Sequence, residues 1–183
     1  MVVDGRRWRE AIALMKSGLK VRVDNAASVL ESLRQLSGMD VLVGIPADKA
    51  ARDDSSINNA ELGYIHSTGG TVEIDGETVT LPPRPFLDMG IEDSKPRTTA
   101  YLKTAATAAL EGNAAAATRE LEKAGQIARD ASKAVIEAGD RLHPLSEKTI
   151  EKRRAAKPPI PGDKPLRARG YLLRSINYLV RTK

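Results

Sequence analysis

The sequence predicts an α+β fold: a small, mostly antiparallel β-sheet with a long hairpin, packed against alanine-rich helices. Three observations carry that prediction. The run TVEIDGETVTL alternates apolar and polar residues about Asp75-Gly76, and such a two-residue turn joins antiparallel strands because glycine accepts the positive φ it needs. VLVGIP, from Val41 to Pro46, reads as a buried strand closed by proline. From Thr98 to Gly139 the chain is rich in alanine, the best helix former.

The remaining elements follow in order. From Gly5 to Ser17, Trp8, Ala11, Ile12, Leu14 and Met15 recur at helical spacing until Gly18 stops the pattern. LKVRV, Leu19 to Val23, alternates like a short strand. Asp24 or Asn25 can then cap a helix with Val29, Leu30, Leu33 and Leu36 on one face and Gly38 at its end. Residues 47–59 are small and polar, a loop whose end caps a short helix through Ala60, Leu62, Tyr64 and Ile65. STGG ends that helix, the hairpin follows, and PPRPF leaves the sheet because proline cannot donate to a ladder.

The alanine-rich region is broken near Gly112-Asn113. In its second half Leu121, Ala124, Ala128, Ala131 and Val135 form a narrow seam suited to close helix packing. Ser146 is placed to cap a helix through Arg154. Residues 157–164, KPPIPGDK, predict an exposed linker, and residues 170–180 a helical turn leading into a last strand, NYLV. The organisation expected is an N-terminal helical extension over residues 1–38 and an α+β domain over residues 39–183, with a basic C-terminal half.

Composition narrows the function. With no cysteine there is no thiolate nucleophile, disulfide framework or Cys-type zinc site. The N-terminus is interrupted by charge and lacks the apolar core of a signal peptide, and no apolar run approaches the roughly 20 residues that span a bilayer. Neither GxxxxGK[ST] nor GxGxxG occurs. The two histidines, His66 and His143, read as helix-terminus groups, and Asp53-Asp54 lacks EF-hand spacing. The expectation is therefore no catalytic residue, no cofactor and no metal: not an enzyme.

Charge is unevenly spread. Residues 141–183 hold twelve Lys/Arg against three carboxylates, a net of +9, so residues 1–140 carry −4 of the overall +5. A basic end on an acidic body fits a phosphate-bearing or an acidic protein partner. Lys152, Arg153, Arg154 and Arg167 are the candidates for that contact.

Two distant segments carry a family resemblance. Ile65-His66-Ser67-Thr68-Gly69 is followed by Pro82-Pro83-Arg84-Pro85-Phe86-Leu87. Downstream come Leu145-Ser146 with Thr149, then Lys164-Pro165-Leu166 and Gly170-Tyr171-Leu172-Leu173-Arg174-Ser175-Ile176. In order and spacing, across roughly residues 40–180, the chain resembles the tailed-bacteriophage tail-completion and virion-morphogenesis proteins that join head to tail. It departs at Ala168-Arg169, where a different polar pair commonly precedes the glycine.

The resemblance implies a structural virion protein of the neck, synthesised in the host cytoplasm. It implies a homo-oligomeric ring, commonly of six copies, between head-closure or connector proteins and tail-terminator proteins. Glu73, Glu77, Arg84, Phe86, Leu87, Leu172 and Leu173 are then candidate subunit contacts. Arg84, braced by prolines, would present its guanidinium to an acidic group on the next subunit. The local alternative is that Phe86 and Leu87 plug the core and Arg84 is solvated. The basic run would face genomic DNA in the lumen, a neighbour or water. A tail terminator or minor tail protein is the alternative within the class, and a basic nucleic-acid-binding module the alternative outside it.

Overall fold

The computed structural model describes residues 26–52, 57–74 and 76–182. The helix expected from Gly5 to Ser17 and the LKVRV strand lie outside the described residues. The fold is α+β, and two long helices form its spine. In chain order the elements are α1 (Ala26–Ser37), β1 (Met39–Gly44), α2 (Ala47–Ala50), α3 (Asn59–Thr68), β2 (Gly70–Ile74) and β3 (Glu77–Leu81). They continue as α4 (Phe86–Leu110), α5 (Ala114–Ala138), α6 (Glu147–Ala155), α7 (Tyr171–Ser175) and β4 (Asn177–Thr182).

The helices α4 and α5 form an antiparallel-style hairpin turned at Gly112, whose φ of 75° favours glycine. Asn113 caps α5, its Oδ1 accepting from the Ala116 amide at 3.0 Å. The seam read from the sequence faces inward: Leu121, Ala124, Ala128 and Val135 are buried, with Ala131 half-buried beside them. Close approach depends on the smallest residues. A Cβ on Gly90 of α4 would lie 2.3 Å from Cα of Ser132 on α5, against backbone that cannot yield.

Helix α4 begins at Phe86 rather than at Thr98, where the alanine-rich run starts. Gly90 and Pro96 read as breakers, and both are tolerated here for identifiable reasons. Gly90 is the contact point with α5. Pro96 is exposed, so water can serve the carbonyl that has lost its helical donor.

The β content is divided between two antiparallel ladders. In the first, β1 pairs with β4 from Met39↔Thr182 to Gly44↔Asn177, joining segments far apart in the chain. Tyr178 docks this ladder on α5: a Cβ on Gly125 would meet its ring at 2.4 Å. The phenol donates to Glu122 Oε2 at 2.7 Å and accepts from Gln126 Nε2 at 3.2 Å, while Arg129 sits over the ring. The second ladder is the β2–β3 hairpin, in register from Gly70↔Leu81 to Ile74↔Glu77. Among the described residues it makes only fringe contact with other helices and strands, so it stands apart from the body.

The main core joins Phe86, Val135, Ile136, Leu142, Leu166, Leu172 and Ile176, with Ile45, Leu87, Met89 and Leu173 packed around them. Phe86 is fully buried, a burial that contributes roughly 1.5–3 kcal/mol. The face of α1 is less well covered. Its apolar residues pack on α4 near Leu36, yet Leu30 and Leu33 remain exposed.

The Gly90 contact is testable. Gly90→Ala is expected to lower stability in urea denaturation by about 2–3 kcal/mol through overpacking. Gly44→Ala, whose Cβ would meet nothing within 4 Å, is expected to stay within about 0.5 kcal/mol of the parent.

Candidate functional site

The two segments singled out by sequence meet at one place. Helix α3 starts from a capping box in which Asn58 Oδ1 accepts from the amides of Ala60 and Glu61, both at 2.9 Å. Glu61 returns a carboxylate to the Asn58 amide at 3.0 Å. The helix ends at Gly69, with φ of 69°. A Cβ there would strike Leu81 O at 2.7 Å and Pro83 N at 2.8 Å, so glycine lets the proline segment cross directly over the end of α3. The Arg84 amide then donates to His66 O at 2.7 Å, pinning PPRPF to that helix.

Arg84 is only 5% exposed. Its Nε donates to His143 O at 2.7 Å and its Nη2 to Pro144 O at 2.9 Å, carbonyls 59 and 60 residues further along the chain. The guanidinium fork thus spans two successive peptide carbonyls just ahead of α6, a geometry that a lysine ammonium cannot reproduce. The alternative in which Arg84 is solvated is corrected: its fork is engaged within the chain. Flanking prolines aim it inward, where those carbonyls replace its hydration.

Arg153 repeats the device from α6. Ser146 caps this helix, its Oγ accepting from the Thr149 amide at 3.3 Å. The Arg153 side chain, 9% exposed, donates from Nη1 to Lys164 O at 3.0 Å and more weakly to Gly162 O at 3.4 Å. Its own carbonyl accepts from the Ile160 amide at 3.0 Å. Lys164 Nζ reaches back to Glu137 O at 2.7 Å. The stretch expected as a bare linker is exposed but strapped to α6 and α5 through these bonds. Arg153 is accordingly removed from the outward basic run, while Lys152, Arg154 and Arg167 are exposed.

The apolar candidates are placed in the core. Phe86 and Leu172 are buried, and Leu87 and Leu173 pack against them, so all four hold the chain's own interior together. Leu166 is buried with them at φ 58°, a left-handed conformation rare for leucine. Packing against Phe86 and Ile136 offsets that strain. Glu73 is exposed on β2, and Glu77 opens β3.

Around Arg84 and Arg153 lies a cleft of about 350 Å³. Leu62, Leu145, Ile160, Leu166 and Leu172 supply apolar wall, and Arg52, Arg84, Arg153, Arg169, His66 and Tyr171 supply the polar lining. Tyr171 is flanked by the guanidiniums of Arg52 at 5.5 Å and Arg174 at 5.1 Å from its ring centre. No carboxylate is among the described residues that line this cleft. Burial pushes the Arg84 pKa down, and the neighbouring Arg153 charge adds to the effect. Burial likewise lowers Arg153, with Asp163 partly opposing it. Burial and then Arg84 depress the His66 pKa, favouring the neutral ring at pH 7. His66 Nδ1 is buried without a hydrogen-bond partner among the described residues.

Among the described residues no group of three metal-ligating side chains is brought together, and no helix is long and apolar enough to cross a membrane. The sequence reading missed the pairing of Arg84 with Arg153; the only signal for it was the proline brace around Arg84. No protein-family model matches this chain, and no similar protein was found among curated proteins or solved structures.

The clamp can be tested directly. Arg84→Ala removes both hydrogen bonds from the buried guanidinium to the loop before α6 and is expected to cost about 3 kcal/mol in chemical denaturation. Arg84→Lys is expected to recover at most about half of that loss, since one ammonium replaces a two-pronged fork.

Proposed function

We propose that this chain is a structural protein of the tailed-phage neck, closing into a ring that completes the head-tail connector and offers the tail its docking surface. Its neighbours in that reading are a head-closure or connector protein on one side and a tail-terminator protein on the other. The work is geometric: ring closure and surface complementarity, with no chemical step.

One observation carries the reading. The segments of the resemblance, distant in sequence, form a single unit in which Phe86 packs with Leu166, Leu172 and Ile176 while Arg84 bonds to the loop before α6. Motifs that meet in this way are the parts of one scaffold, as the resemblance requires. The free-standing β2–β3 hairpin adds support. Among the described residues its two strands pair only with each other, leaving outer edges that can reach a neighbour by β-augmentation. A head-to-tail contact of that kind closes into a ring when the rotation between copies permits.

A nucleic-acid-binding role is favoured by one observation, the exposure of Lys152, Arg154 and Arg167. Within a ring these groups would contact phosphates in the lumen without reading bases.

Native mass spectrometry discriminates. The neck reading predicts a discrete closed oligomer, six copies being the expectation, for the chain alone or after addition of a portal-side connector. A chain that stays monomeric in both conditions and retards duplex DNA at low salt would instead establish the nucleic-acid module.

A further inference from the structure

We propose that the arginine-lined cleft receives the acidic tip of the β2–β3 hairpin from a second copy of this chain. The inference deepens the ring reading and rests on it for the partner, although the cleft's chemistry stands on the structure alone.

The cleft is built for an anion with an apolar flank. Arg84 and Arg153 are nearly buried, and their side chains donate to neutral backbone carbonyls. Carbonyl dipoles satisfy donors but cancel no charge, and Asp163, which acts on Arg153, is one carboxylate beside several guanidiniums, so the partly apolar hollow keeps a positive potential. Arg169 adds a third guanidinium at the rim, exposed and without an ion pair or hydrogen bond among the described residues. A neighbouring groove shares Arg169 and adds Arg167 and Arg174, with Asp163 as the one acid in its lining. A hollow of about 350 Å³ holds one or two side chains. It is concave and leucine-walled, unlike the long, polar track that a nucleic-acid backbone follows.

The hairpin has the matching chemistry. Its turn reads Glu73-Ile74-Asp75-Gly76-Glu77, three carboxylates in five residues with an isoleucine between them. Glu73 is exposed, and the ladder holds Glu77 opposite Ile74. No described residue of this hairpin lines the cleft of its own chain. Acid on the hairpin of one copy and the arginine-rich cleft of the next make a self-complementary, head-to-tail pair. Repetition of that contact is what a ring needs. The pairing also gives a role to the uneven charge, in which a net −4 over residues 1–140 faces a net +9 over residues 141–183.

The test uses the full chain carrying E73K/E77K, whose own hairpin is disabled for this contact, and a synthetic peptide of residues 70–81. The readout is the ring-proton resonance of His66, one of only two histidines. The peptide is expected to shift it saturably. Replacing the three peptide acids by their amides, or introducing Arg169→Glu at the exposed rim, is expected to weaken binding about tenfold or more. Thermal melts of both protein variants should match the parent, showing that folding is intact.

No saturable shift overturns the docking, even if the parent chain forms a ring. Equal binding by the amide peptide overturns it too, as does tighter binding of inorganic phosphate or a short DNA duplex. Conversely, a parent chain that is monomeric while the peptide binds as described would sink the ring reading and leave the cleft's acidic specificity in place.

Discussion

The structure turns on one buried cation. Arg84 carries its charge to a site where only 5% of the residue meets solvent, and the two carbonyls at 2.7 and 2.9 Å stand in for the water it has lost. Without them, desolvating a guanidinium would cost several kcal/mol. That demand fixes the positions of three separate parts. The Arg84 amide bond ties the proline segment to α3, the fork holds the chain between α5 and α6, and Phe86, two residues on, enters the core as the first residue of α4. Arg153 then extends the same logic to the proline-rich strap and, through Lys164, back to α5.

The rest of the molecule adapts to this junction through size rather than charge. The α4/α5 pair relies on Gly90 against Ser132, and β4 relies on Gly125 to seat Tyr178. Both contacts bring backbone or ring within a distance that any side chain would block. Alanine-rich helices suit such packing because they lose little side-chain entropy. They also leave few large residues for the interior, which concentrates the aliphatic core around Phe86 at one end of the spine.

Local signals were the legible ones. Asn58 with Glu61 and Ser146 with Thr149 each specify a helix start by bonds within three residues, and the hairpin strands pair in register on either side of the expected turn. The seam on α5 was readable for the same reason, since helical periodicity is local. What escaped depends on partners far along the chain. The first turns of α4 carry Gly90 and Pro96, residues that break an isolated helix, and only the presence of α5 shows why they do not break this one. Arginine beside proline looks like a surface group until carbonyls 59 and 60 residues away are seen to receive it. Arg153, inside the run Lys152-Arg153-Arg154, is indistinguishable from its exposed neighbours by composition, and only the return of residues 162–164 separates it from them.

A structural role and a buried cationic junction belong together, because a part that must transmit assembly contacts has to be rigid where its segments join. The Arg84 junction is then part of the cooperative fold and not a loosely attached corner. Native-state hydrogen exchange measures this at the Arg84 and Ile160 amides, which donate to His66 O and Arg153 O. The account predicts that both exchange only through global unfolding, with the same opening free energy as the slowest amides of α5. Exchange of either amide through a local opening several kcal/mol cheaper than global unfolding would contradict it.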